Sequence, residues 1–361
     1  MKENYLELDT PQLIHEPRII IFPIRISIDP MERLLVANFR NDREFEMIEP
    51  QVFDDPVNGK GLRILRYRTD KKVDVYWQPG VIVDRNSFDI GAGTGDFAET
   101  DITPAHFEMT ELGVDIDLAF TDKQGRRVEL IIKENTKINN RFPFLAPVGN
   151  DVKNPKKLFL VNMLEFDFVK KTGTVFHAKV GDRILSPSTF PITRDKQKVY
   201  FTRYASKLVI GVINPPFIEP VIVKIIVPGE NKIGEMNLFV DEKQEVKNIW
   251  VENNSEKVEL IFDEGFPNLL CLDQNKTMNG HWKYRSAGTI LTGGTYSLLR
   301  KGEMVNVEFD VTEKWKPGVI PFSFKVFTCL VRSFRNWPKT YRWKAKIDLS
   351  EMTMDGRWDR K

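Results

Sequence analysis

The chain has 361 residues, with 41% hydrophobic and 29% charged side chains, the composition of a folded globular protein and not of a disordered one. Its 53 basic and 51 acidic side chains leave a net charge of +2, which gives no global reason to expect nucleic acid or an anionic membrane as partner. Two cysteines, Cys271 and Cys329, exclude a disulfide framework; inside apolar runs they read as buried, reduced thiols, in keeping with a cytoplasmic location.

Taken in order, Met1 to Arg18 reads as an extended arm without the apolar core of a signal peptide, and Ile19 to Ile28 as a strand interrupted at Pro23. Asp29-Pro30-Met31-Glu32 carries an N-cap, a first-turn proline and an acid at the third helical position. It predicts a short helix ending near Asn41. Strands are expected at Glu44 to Ile48, Gly61 to Arg68 and Lys72 to Tyr76.

Gly91-Ala92-Gly93-Thr94-Gly95 has the glycines of a phosphate loop, but no helix pattern follows and no Lys-Ser/Thr closes it. The carboxylates around it, Asp89, Asp96, Glu99, Asp101 and Glu108, are oxygen donors of the kind Ca²⁺ takes. Their spacing matches no EF-hand, and with His106 they read as a solvated acidic loop.

The clearest pattern is Val114 to Glu134. Val114, Ile116, Leu118 and Phe120 alternate with polar residues, Asp122 to Gly125 makes a turn, and Val128, Leu130 and Ile132 resume the alternation. A period of two on both sides of a turn predicts a hairpin with one buried face. Leu158 to Val169 is apolar on both parities and predicts a strand covered on both sides. The remainder reads as further short strands, including Phe322 to Val331 and Thr340 to Ile347, with a loose tail around Trp358.

Short words recur in the same order along the chain. Arg66-Tyr67 and Arg203-Tyr204, Val128 to Ile131 and Val258 to Ile261, Phe142-Pro143 and Phe266-Pro267, and Ile184-Leu185-Ser186 and Ile290-Leu291-Thr292 all pair. They suggest two similar antiparallel domains, 1–192 and 193–361. Barrels are preferred to two β-sandwiches because closure removes exposed edges.

Gly280-His281-Trp282, at the start of a strand in an antiparallel meander, resembles the Gly-x-Trp signature of lipocalins and the wider calycin group. Two such barrels in one chain resemble the tandem architecture of carotenoid-hydratase-type proteins. The resemblance implies a small apolar molecule held in or between the barrels and carries no catalytic residue across. Tyr76, Trp77, Phe120, Trp282 and Tyr296 are the expected wall residues. His177 and His281 occupy similar places in the two halves, and each could serve as an acid or base.

The four histidines lack metal-ligand spacing, and no motif for a cofactor or nucleophile is present. The leading expectation is binding, or binding and conversion, of a small apolar molecule. A carbohydrate-binding or carbohydrate-active protein is the first alternative, resting on the mixed basic and aromatic run Arg332 to Lys346. An interaction protein without a small-molecule site is the second.

Overall fold

The computed structural model describes residues 18–361 except 86–87, 89–91, 137–139, 147–154, 218, 226–228, 254–255 and 317. Alternating apolar residues and frequent β-branched side chains make strands of most of it. In chain order they are β1 (Arg18–Phe22), β2 (Ile26–Asn38), β3 (Phe45–Asp55), β4 (Gly59–Arg68), β5 (Val73–Trp77), β6 (Thr94–Glu99), β7 (Ile102–Thr110), β8 (Gly113–Thr121) and β9 (Arg127–Lys133). Then come β10 (Phe142–Ala146), β11 (Leu158–Lys170), β12 (Val175–Val180), β13 (Arg183–Ile184), β14 (Thr189–Arg194), β15 (Gln197–Ile213), β16 (Val221–Ile225) and β17 (Gly229–Ile233). The last third holds β18 (Met236–Val240), β19 (Val246–Asn253), β20 (Glu256–Phe266), β21 (Thr277–Ser286), β22 (Thr289–Lys301) and β23 (Met304–Val311). Two short helices, α1 (Phe322–Leu330) and α2 (Arg332–Asn336), precede β24 (Tyr341–Asp348) and β25 (Thr353–Arg360).

These strands form three large sheets and one small pair. The central sheet runs β10-β11-β15-β2-β3-β4-β5-β6, with β14 added to β15. A five-stranded sheet, β13-β12-β9-β8-β7, lies on one side of it. The C-terminal sheet is a strictly sequential meander from β17 to β25, and β1 pairs with β16 apart from these. All pairings are antiparallel except β5 with β6.

The hairpin expected at Val114 to Glu134 is β8 and β9, with Phe120 opposite Val128 and every inward residue buried. Gly125 takes φ +76°, and Asp122 accepts hydrogen bonds from the backbone N–H groups of Gln124 and Arg126. β11 lies between β10 and β15 and is buried almost throughout, as its two apolar parities imply.

Several expectations are corrected. Residues 29–38 are strand and not helix: β2 pairs with β15 over its whole length and with β3 from Arg33 onward. The local capping signal loses to pairing on both sides, and Pro30 lies where only β15 is a neighbour. Residues 322–330 are helix and not strand. The apolar run there fits either period, and packing decides: Phe324 and Thr328 face inward, one helical turn apart. The tail expected at the C-terminus is β25, with Trp358 buried and its indole N–H donating to the carbonyl of Asn214. Cys271 and Cys329 are free but exposed.

No sheet closes into a barrel among the described strands. The meander ends instead in β25, whose Asp355, Arg357, Asp359 and Arg360 guard an open edge with charge. The two halves also differ in strand order. The boundary expected after residue 192 falls inside β14, which pairs with β15, whose other sheet neighbours are β2 and β11.

β2, β11 and β15, at 13, 13 and 17 residues, serve two cores. Ile26, Ile28, Phe166 and Leu208 pack toward the meander; Leu35, Ala37, Val169 and Tyr204 pack toward the five-stranded sheet. The contact with the meander is close. A Cβ on Gly211 of β15 would lie 2.0 Å from the Tyr284 hydroxyl, so glycine is required there by space and not by backbone angle. No helix among the described residues is long and apolar enough to cross a membrane.

Gly211→Ala is therefore expected to destabilise the protein by about 1–3 kcal/mol, because a buried ring has to move. Adding Tyr284→Phe, which removes the nearest atom, should recover part of that loss. Urea unfolding of the double-mutant cycle measures both, and strict additivity would remove the steric explanation.

Candidate functional site

An open cleft of about 360 Å³ separates the central sheet from the edge of the five-stranded one. Glu32 and Arg33 come from β2, Val52 to Asp54 from β3, Lys60 to Leu62 from β4, and Ala105 to Glu108 from β7, with Gln78 at the back. Strand alternation explains part of the lining: Phe53 is buried and Asp54 exposed, and Phe107 is buried and Glu108 exposed, while Ala105 is exposed on the edge strand β7. Two side chains staple the sheets together here. Arg33 donates to the carbonyl of Phe107, and the Gln78 amide donates to the carbonyl of Ile102 at 3.4 Å while accepting from the N–H of Leu62 at 2.8 Å.

The floor at Gly61 has φ +142°, and a Cβ there would meet Val81 at 2.9 Å and Gln78 at 3.1 Å. Inside the cleft Arg33 pairs with Glu32 at 2.6 Å and Lys60 with Asp54 at 2.8 Å; His106, on its rim, lies 3.8 Å from Asp115 of β8. The result is a polar site with donors and acceptors of both signs in reach of one another.

Deeper in the same core is a buried ionic cluster. Arg66 of β4 is 1% exposed and donates to Asp74 of β5 at 3.1 Å, to Asp122 in the β8–β9 turn at 3.2 Å, and to the Tyr76 hydroxyl at 3.2 Å. Its guanidinium lies 4.4 Å from the Phe45 ring centre and 5.0 Å from that of Tyr76. Tyr76 donates in turn to Asp96 at 2.7 Å. Burial would raise the Asp96 carboxyl, but hydrogen bonds from Tyr76 and Gln124 and the charges of Arg68 and Arg66 hold it below its ordinary range. Burial and the bond to Asp96 push the Tyr76 phenol upward. Asp96 is thus an internal partner and not part of a solvated loop; Glu99 and Asp101 are exposed, and Asp89 lies outside the described residues. Toward the surface, the Arg126 fork on Glu44, joined by Arg183, lowers the Glu44 carboxyl to about 2.

The chain matches no family model, curated protein or solved structure. What the site can do has to be read from its own geometry.

The residues expected to line a cavity are distributed over several places. Tyr76 and Phe120 come together, with ring centres 4.8 Å apart, but beside Arg66 in a packed core. Trp77 packs on Phe97 at 4.6 Å in a separate small cluster. Trp282 is buried and stacked on Phe309 at 4.3 Å, and the buried Tyr296 donates to the carbonyl of Gly265. His177 sits on the surface of the five-stranded sheet 3.7 Å from Glu129. His281 is exposed and bonded to Glu264 at 2.7 Å. Trp337, Tyr341 and Trp343, the aromatic row considered for sugar stacking, are all buried. The enclosed apolar void beside Phe45 and Leu130 measures about 10 Å³, room for one water at most.

The sequence reading missed Arg66 as a site residue, although its parity carries the signal. Leu62, Ile64 and Arg66 share one face of β4, as Asp74 and Tyr76 share one face of β5, so an arginine and an aspartate are directed inward together. Glu32, Arg33, Asp54 and Lys60 gave no such signal, because the cleft exists only once β7 lies against β2.

A second buried acid, Glu134, closes the far end of the five-stranded sheet. Its carboxylate accepts from the N–H groups of Val114 at 2.9 Å and Lys170 at 2.8 Å, and it occupies the space a Cβ on Gly113 would need. Burial outweighs those bonds and raises its carboxyl to about 7.

Two predictions follow from these acids and their partner. Arg66→Met keeps the volume but strands Asp74 and Asp122, and should cost about 3–5 kcal/mol in urea unfolding. For Glu134, the raised folded-state value means its contribution is full at pH 4.5 and is lost as pH rises through about 7. The loss is about 3 kcal/mol. Glu44 acts in the opposite sense and only below pH 4.5. Stability measured from pH 4.5 to 8 should thus fall more steeply in the native chain than in Glu134→Gln; parallel curves would refute the assignment.

Proposed function

We propose that this protein binds a small, hydroxyl-rich polar molecule, a sugar or similar polyol, in the cleft between β2–β4 and β7. The observation that carries this reading is the lining itself. Glu32, Arg33, Asp54, Lys60, His106 and Glu108 offer both donors and acceptors around a space of about 360 Å³. That size lies at the lower end of small-ligand sites. Opposite charges already paired along the central-sheet wall, Arg33 with Glu32 and Lys60 with Asp54, suit a neutral ligand with many hydroxyls better than a strongly charged one, which would leave half of the groups unsatisfied.

The filled cores weigh against an apolar ligand, since the aromatic side chains that would wall its cavity are packed against other side chains. Burial of Trp337, Tyr341 and Trp343 moves the carbohydrate reading away from the C-terminal aromatic run and into this cleft.

Titration calorimetry with a panel of mono- and disaccharides and polyols tests the proposal. Ala105→Trp, at an exposed wall position, should abolish binding by filling the cleft. Glu108→Gln should weaken it by about 1.5–3 kcal/mol through loss of a charged acceptor. Silence across the panel, or binding unchanged in Ala105→Trp, would sink the reading.

A further inference from the structure

Helix α1 is apolar on two faces, and only one of them has a partner. Phe324 is fully buried, with its ring 5.1 Å from Phe142 and 5.3 Å from Phe168. Phe327 lies 5.1 Å from Phe190 and 5.5 Å from Phe334. These contacts fix the helix on the central sheet and decide which way its other side faces. On that side Phe322 is 80% exposed, Val326 42% and Leu330 73%, and Val319 just before the helix is 88% exposed. The helical residues are spaced by four, so they form one stripe roughly 12 Å long.

The charge around the stripe has a single sign. From Lys314 to Ile347 the sequence contains no Asp or Glu, although the whole chain is nearly neutral. Farther along, Arg342 and Lys344 are answered from β23 by Asp310 and Glu308. Beside the helix Lys314, Lys325, Arg332 and Arg335 are exposed, and no acidic side chain pairs with them among the described residues. Basic groups thus lie before, within and after the apolar stripe.

We propose that α1 and the turn before it form a membrane-contact face that settles into the headgroup layer of an anionic bilayer. The stripe is convex, so it suits a soft, continuous apolar layer. The ring of basic side chains suits the diffuse negative potential above such a layer, where each lysine or arginine adds attraction. The contact is peripheral and uses a surface distinct from the cleft. A second copy of the chain would meet the same residues differently, and the experiment separates the two cases.

The full chain is centrifuged with vesicles of phosphatidylcholine containing a quarter phosphatidylserine, and with vesicles of phosphatidylcholine alone. Binding to the anionic vesicles should exceed that to neutral ones by tenfold or more, on the order of fivefold per basic residue engaged, and should fall as salt is raised. Phe322→Ser with Leu330→Ser should remove most binding. Lys325→Glu with Arg335→Glu should remove the preference for anionic vesicles. All four side chains are exposed, so unfolding midpoints should stay at the native value and certify the variants as folded. No binding to the anionic vesicles, or equal binding by the folded variants, overturns the proposal. So does a dimer in sedimentation velocity that Phe322→Ser dissolves, which would assign the stripe to a second copy.

Discussion

The physical constraint behind this architecture is that β2, β11 and β15 must bury side chains in two cores at once. A strand with one wet face needs only alternate apolar residues, whereas these three need apolar residues on both parities. Leu34 and Leu35 are adjacent in β2 yet belong to different cores, the first packed toward the meander and the second toward the five-stranded sheet. Because the same strands line both cores, the two cores are joined by continuous sheet and not by a linker. The Asn162 amide on β11 donating to the Ser286 hydroxyl, and Gly211 beneath Tyr284, show how closely the layers meet.

Inside this frame the charged groups are placed where layers have to be held in register. Arg66 ties the central sheet to the turn of the β8–β9 hairpin, and Glu134 ties the other end of that hairpin to β11. Such groups cost desolvation and return it only when their partners are all in place, so they reward one arrangement of the two sheets over its neighbours. The cleft is the place where the same two sheets part. Arg33 and Gln78 satisfy backbone carbonyls of β7 across that gap, which leaves the more exposed Glu32, Asp54, His106 and Glu108 directed to solvent.

Much of the strand content was legible from alternation, because a buried face and a wet face leave a period of two in the sequence. The β8–β9 hairpin shows this best: its turn and both inward rows were readable residue by residue. Pairing order was not legible, since nothing in the residues of β15 says that they will lie between β2 and β11. The same gap produced both errors of type. Asp29-Pro30-Met31-Glu32 has local helix chemistry overridden by distant partners, and Phe322 to Leu330 has apolar residues that satisfy two periods. Of the site, His106 and Glu108 read as part of a solvated acidic loop, and Glu32, Arg33 and Lys60 acquire meaning only from the sheet that faces them. In the sequence Tyr76 and Phe120 read as wall residues of a ligand cavity; parity alone could not say that they pack beside a guanidinium.

The bond of Asn268 to the first strand has a consequence for how the chain is made. Its side chain accepts from the N–H of Ile21 and donates to the carbonyl of Ile19, partners 247 and 249 residues away. One edge of β2 likewise waits for β15, whereas most strands of the meander follow their neighbours after short connections. On a ribosome β1, and the edge of β2 that meets β15, therefore emerge with backbone groups unpaired and stay so until β15 and β16 have been made. The meander, like the runs β3–β5 and β7–β9, is able to organise itself quickly from local contacts. β1 and β2 spend that interval dependent on water, or on a chaperone, to occupy the edges that β16 and β15 will later cover.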